Sequence, residues 1–260
     1  MWSRRHVIGM FALCSADVVR AQPTGRLTIA AASDLRFALD EALTPFRTAQ
    51  PGATVEVIYG ASGKLATQLR NGAPFDVFMS ADIAFAREVL DAGLATGVPR
   101  VYAIGRLAAW STNAELGRLP LAALVRDPRV TRFAIANPEH APYGQRAMQV
   151  LRSQGLQADA QPKLVLGDNV AQAATFIETG AAQAGLIAHS LVLSPALAGK
   201  GAWTLIPEAW HASLEQALVI TRRAADNPLA AAFVRHLEAP PTRALLQRHG
   251  FALPEQAQRN

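Results

Sequence analysis

Two short runs limit what this chain can fold into. Ile29-Ala-Ala-Ala-Ser-Asp-Leu35 and Tyr59-Gly-Ala-Ser-Gly-Lys-Leu65 each begin as a strand of small or β-branched residues. Each then breaks into hydroxyl and glycine residues and enters a helical pattern. A strand-to-helix turn of this kind leaves first-turn N–H groups without intrahelical partners, at the positive end of the helix dipole. With a serine hydroxyl beside them, such groups can hold an anion without a charged side chain.

The surrounding pattern predicts α/β architecture. Leu27 to Ala31 reads as a strand, and Phe37, Leu39, Leu43 and Phe46 recur at helical spacing until Gln50-Pro51-Gly52. Thr54 to Tyr59 is a second strand, Leu65 to Asn71 a helix, Phe75 to Met79 a third strand and Ala81 to Ala92 a helix stopped by Gly93. Val101 to Trp110 reads as a strand leaving this unit. A second series follows, with strands at Arg132–Ala136, Lys163–Leu166 and Gly185–Ala188 and helices at Gln145–Gln154 and from Asn169 to Glu178. Glu215 to Thr221 is again strand-like, and Pro228–Leu237 and Thr242–His249 close the chain as helices. Two βα series in one chain predict two facing sheets with the site between them, at the carboxyl ends of the strands. With 260 residues, half of them hydrophobic and only 17% charged, the chain can fill two such cores.

The N-terminus reads as an export signal. Ser3-Arg4-Arg5 precedes the apolar run Val7 to Ala16, and Val19-Arg20-Ala21 offers a cleavage site. The run is too short for a membrane anchor, and the arginine pair also fits a twin-arginine signal. The single cysteine, Cys14, falls inside this segment without the small preceding residue of a lipoprotein signal, so the mature chain has no thiol. Lysines occur only at Lys64, Lys163 and Lys200, and no long basic or aromatic-basic stripe is present, which argues against nucleic-acid binding.

The order of several blocks resembles the molybdate-binding proteins of ABC importers, within the type II periplasmic binding proteins. These blocks are Ala-Ala-Ala-Ser33-Asp34-Leu, Gly-Ala-Ser62-Gly-Lys-Leu-Ala, Gly72-Ala-Pro-Phe-Asp-Val-Phe-Met-Ser80-Ala-Asp82, Asn137-Pro-Glu-His-Ala-Pro-Tyr143-Gly and Gly167-Asp-Asn-Val170. The resemblance runs from about Leu27 to Phe251. It implies a two-domain α/β fold with a hinge cleft between two mixed, mainly parallel sheets. Residues 1–21 would be the signal peptide, 22–104 plus 217–260 the first domain and 105–216 the second. The crossings would lie near Val101–Leu107 and Ala212–Ile220.

The resemblance also implies a ligand set of Ser33, Asp34, Ser62, Tyr143 and Val170 for molybdate or tungstate. The serine and tyrosine hydroxyls and nearby backbone N–H groups would be the donors. Some relatives carry a ligand tyrosine where this chain has Ala188, so the chain resembles the variant in which the loop tyrosine serves instead. No cofactor and no metal beyond the oxyanion are implied. A monomeric periplasmic protein that hands its ligand to an ABC transporter membrane permease, with no enzymatic activity, is expected.

Individual residues leave choices. Asp34 either caps the following helix or neutralises Arg36 or Lys64, leaving its N–H for the ligand, or it accepts a proton and admits hydrogen phosphate or arsenate. Lys64 is expected in solvent rather than on the ion, and His140 exposed on its loop. Asp76 and Asp82 are expected to cap and brace the Ser80 turn, and Trp110, Trp203 and Trp210 to pack in the core or hinge. Sulfate or phosphate remains an alternative ligand. An exported serine hydrolase using Ser33 or Ser62 is the alternative of another class, but neither serine sits in a Gly-x-Ser-x-Gly elbow. A phosphate loop at Gly60–Lys64 fails on spacing.

Overall fold

The computed structural model describes residues 25–254, so the signal-peptide reading of residues 1–21 lies outside the described residues. The strands in chain order are β1 (Gly25–Ala32), β2 (Ala53–Gly60), β3 (Val77–Ser80), β4 (Ala95–Gly105), β5 (Leu107–Ser111), β6 (Phe133–Ala136), β7 (Leu164–Gly167), β8 (Ala184–Ala188), β9 (Ala202–Leu205) and β10 (Leu214–Thr221). They form two five-stranded sheets, ordered β2-β1-β3-β10-β4 and β7-β6-β8-β5-β9. The chain passes from the first sheet to the second through Arg106 and returns between β9 and β10.

Both sheets are mixed, as expected, with a larger antiparallel share than the sequence reading gave. β1 pairs β2 and β3 in parallel, while β10 runs antiparallel to β3 and β4. In the second sheet β6 pairs β7 and β8 in parallel, and β5 runs antiparallel to β8 and β9. The antiparallel members are the strands that carry the chain between sheets or flank those crossings. The parallel strands are followed by helices, so their carboxyl ends all open into short turns.

Alternation along β1 shows why its residues are strand-forming. Leu27, Ile29 and Ala31 face a cluster with Leu39, Leu43, Phe46 and Phe233, while Ala30 faces the opposite cluster with Leu65, Phe78 and Val89. The strand is buried on both faces, which explains its near-continuous apolar sequence. Phe46 meets Phe233 edge-on, with centroids 5.8 Å apart. The second lobe packs around Trp110, Phe133, Ile135, Val150 and Ile177.

Two strand readings differ from the structure. β4 starts at Ala95 rather than Val101; Gly97, at φ +76°, and Pro99 disguise its first half, and both are tolerated because β4 is an edge strand. β9 has no recognisable alternation because it is a four-residue edge strand, half-exposed along its length. Of the three tryptophans expected in the core or hinge, Trp110 is fully buried and gives its indole N–H to the Lys200 carbonyl at 2.8 Å. Trp203 instead stays 39% exposed, with its ring against His189.

Close strand packing makes one glycine obligatory. A Cβ on Gly185 would lie 2.1 Å from the Ala134 carbonyl oxygen on the neighbouring strand. Gly185→Ala should therefore destabilise the protein by about 1–3 kcal/mol or more, read as a lower urea midpoint; an unchanged midpoint would show that β6 and β8 can separate without penalty.

Candidate functional site

The turns that end the parallel strands meet at one pocket between the lobes. Ala32 ends β1 and is followed by Ser33 and Asp34, Gly60 ends β2 and is followed by Ala61 and Ser62, and Ala81 follows β3. From the second lobe come Ala141, Pro142 and Tyr143 after β6, and Val170 after β7. The unfilled space is about 180 Å³, its mouth included. All five residues named from the sequence, Ser33, Asp34, Ser62, Tyr143 and Val170, line it and are buried.

Three helices start at this pocket: Ser62–Arg70, Pro142–Ser153 and Val170–Glu178. The first two have alanine at the N-cap and no side-chain cap, so their first-turn N–H groups are not taken by a capping side chain. Asn169 caps the third through the N–H groups of Ala171 and Gln172, which leaves that of Val170. The two serines are oriented by what they accept. Ser62 Oγ accepts from the Ala81 N–H at 3.0 Å, and Ser33 Oγ accepts a longer bond from the Ala171 N–H at 3.4 Å. An oxygen that accepts in this way keeps its own proton to donate elsewhere. No basic side chain is among the described residues lining the pocket.

Asp34 differs from the sequence expectation. It caps no helix and pairs with neither Arg36 nor Lys64. Its Oδ2 accepts from the Tyr143 hydroxyl at 3.0 Å and from Gln216 Nε2, while Tyr102 donates to Gln216 Oε1 at 3.0 Å. Asp34 Oδ1 has no hydrogen-bond partner among the described residues. The Tyr143 phenol, expected to be an O–H donor to the ligand, is thus committed to Asp34, and its backbone N–H is what the helix start presents. Burial pushes the Asp34 carboxyl up to about 6, against the opposing pull of Gln216 and Tyr143. The same burial, with the Asp34 charge nearby, raises Tyr143 well above the usual phenol range.

Sequence reasoning missed the contacts that join the lobes. Lys64 is solvent-exposed and does not line the pocket, as expected, but its Nζ pairs with Asp168 at 2.9 Å across the cleft. The Lys64 ammonium holds the Asp168 carboxyl below the usual range. His140 is half-buried rather than exposed; its carbonyl accepts from the Gly63 N–H at 2.9 Å and its ring meets the Asp168 carbonyl at 3.0 Å. Ser190 donates to the Asp34 carbonyl at 2.9 Å. Asp82 caps the Ile83–Asp91 helix, as expected, and beyond that pairs with Arg146 of the other lobe. Asp76 serves β1 and Arg223 rather than the Ser80 turn. The partners that join the lobes lie far apart in sequence and leave no local pattern, so only the residue types, not the pairings, were visible.

Among the described residues no cluster of three or more histidine, cysteine or acidic side chains could hold a metal ion, and no helix is long and apolar enough to cross a membrane. A family profile described as "Bacterial extracellular solute-binding protein" matches residues 27–252. The chain is 33% identical over 205 residues to the molybdate-binding protein ModA of Rhodobacter capsulatus, covering 78% of this chain and 79% of that protein. It is 32% identical to ModA of Azotobacter vinelandii, covering 92% of each. The solved periplasmic molybdate-binding protein of Azotobacter vinelandii superposes with a TM-score of 0.81 at 30% identity, over 88% of this chain and 99% of that one.

The Asp34 environment has a measurable consequence. A carboxyl near 6 in the fold and near 3.8 when unfolded binds a proton more tightly in the native state. Its contribution is therefore full below about pH 4 and lost as pH rises through about 6, at a cost of roughly 3 kcal/mol. Without added anion, Asp34→Asn should gain about that much on the wild type between pH 4 and pH 7 in chemical denaturation. Parallel pH profiles for the two proteins would contradict it.

Proposed function

We propose, because the chain belongs to the bacterial extracellular solute-binding protein family, that it captures molybdate or tungstate in the cleft and delivers it to the membrane permease of an ABC importer. The observation that carries this reading is a buried pocket whose neutral donors come from both lobes: two serine hydroxyls with their oxygens already accepting, and three helix N-termini. The names of the ModA relatives supply the ligand class.

The chemistry follows from the donor set. Molybdate is a tetrahedral dianion with no proton at neutral pH. Burying it is costly unless its oxygens find donors. Fixed N–H and O–H dipoles need no reorganisation when the ion arrives, and each bond to a charged acceptor contributes about 1.5–3 kcal/mol. Ser33, Ser62 and the backbone at Asp34, Tyr143 and Val170 are assigned as its ligands. Hydrogen phosphate needs an acceptor for its proton, which none of the assigned ligand groups supplies. Sulfate has the right charge but a smaller radius, so cleft size discriminates against it.

The protein acts as a monomeric carrier rather than an enzyme. Neither serine has a histidine or carboxylate hydrogen-bonded to its hydroxyl among the described residues, so neither has the base a nucleophile needs. The site would work in the periplasm, with residues 1–21 as the export signal. Residues 22–104 plus 217–260 and 105–216 would move as two bodies about the crossings at Arg106 and between β9 and β10. One observation favours a second reading: the unpartnered Asp34 Oδ1 is an acceptor, which a protonated oxyanion such as hydrogen phosphate or arsenate could use.

Calorimetric titration decides between them. Molybdate and tungstate should bind, and phosphate should not displace molybdate. Ser62→Ala and Ser33→Ala should each weaken molybdate about ten- to hundredfold. Equal affinity for phosphate would transfer the assignment to the protonated anion, and no binding of any oxyanion would leave only the family assignment.

A further inference from the structure

We infer that Arg146 and Asp82 form a positioning pair that couples closure of the cleft to the orientation of Ser62. Arg146 lies on the Pro142–Ser153 helix of the second lobe and Asp82 at the start of the Ile83–Asp91 helix of the first, and both are buried. Neither lines the pocket. The guanidinium makes a charge-assisted bond to Asp82 Oδ2 through Nη2. Its Nε donates to the Ala212 carbonyl at 2.9 Å, and Nη2 donates to the Ser213 carbonyl at 3.1 Å. Ala212 and Ser213 belong to the return crossing just before β10. One side chain therefore ties together the second lobe, the crossing and the first lobe.

From Asp82 the link continues to the site. Ser80 donates to the Asp82 carbonyl at 2.6 Å and accepts from the Asp82 N–H at 3.1 Å, which fixes the turn after β3. Between them, the Ala81 N–H donates to Ser62 Oγ. That bond decides where the Ser62 hydroxyl proton can point. When the lobes part, Asp82 loses its partner and the turn loses its external anchor. When they shut, Arg146 returns the turn to the position that aims Ser62 at the pocket. The planar fork matters, because lysine can make one of these contacts but not all of them.

This inference rests on the proposed anion site, and its test separates the two. Asp82→Asn keeps the side-chain oxygen that caps the Ala84 N–H while removing the charge. Stopped-flow measurement on the whole mature protein should show molybdate dissociation from Asp82→Asn at least tenfold faster than from wild type, with association within about threefold. Arg146→Met, which can make none of these contacts, should behave in the same way, and Asp82→Asn with Arg146→Met should be no worse than Arg146→Met alone, since that substitution already removes the contact that Asp82→Asn removes. A cooperative anion-free melting transition in Asp82→Asn, at a midpoint lowered by loss of the buried pair, with the binding stoichiometry of wild type, separates this effect from a general loss of folding. Dissociation within twofold of wild type, or additive single effects, would overturn the inference. If wild-type protein binds no molybdate, the functional reading fails, and small-angle scattering without anion judges the pair: a larger radius of gyration in both variants supports it, and an unchanged radius overturns it.

Discussion

The proposed anion site depends on offsetting a buried double negative charge with dipoles rather than with cations. Three helices begin at one pocket, two of them with alanine at the N-cap where a capping serine or aspartate is ordinarily favoured. An uncapped helix start forgoes about 0.5–2 kcal/mol. Leaving those N–H groups uncapped makes sense when a ligand oxygen is to be their acceptor. The small lining residues Ala32, Ala61, Ala81 and Ala141 would let backbone approach an ion in the proposed site closely. Parallel strands supply this geometry because each ends in a turn into a helix, and two facing sheets bring such turns together from opposite sides.

Cleft closure is built from contacts outside the donor set as well as through it. Lys64–Asp168 is a half-exposed pair and contributes little by itself. Arg146–Asp82 and Tyr143–Asp34 are buried, so losing one partner leaves a stranded polar group. Asp34 has a double role in this account. Its carboxylate disfavours a neighbouring dianion, yet it is the acceptor on which Tyr143 and Gln216 converge, and through them Tyr102 on β4 and the returning strand β10 are joined to the second lobe. The proton-binding tendency that burial gives Asp34 reduces that electrostatic conflict.

Much of this was legible in the sequence, and the reasons it stopped are physical. Ser33 and Ser62 could be placed at strand-to-helix turns because strand and helical periodicities meet at those residues. The family resemblance added Tyr143 and Val170, which local chemistry alone would not select. The direction of the Tyr143 hydroxyl was not legible, since it depends on Asp34 lying across the cleft, more than a hundred residues away in sequence. Gln216 was invisible for the same reason: a glutamine inside the apolar run of β10 carries no motif, although burial of its amide required a partner. β9 escaped because an edge strand with exposed residues has no alternation to read.

The most direct measurement is a crystal structure of the molybdate complex with the molybdenum located by anomalous scattering. One peak is expected between Ser33, Ser62, Tyr143 and Val170, with each oxygen within hydrogen-bond distance of an N–H or O–H donor and no lysine, arginine or carboxylate in contact with the ion. A peak elsewhere, or a basic side chain bound directly to the anion, would contradict it.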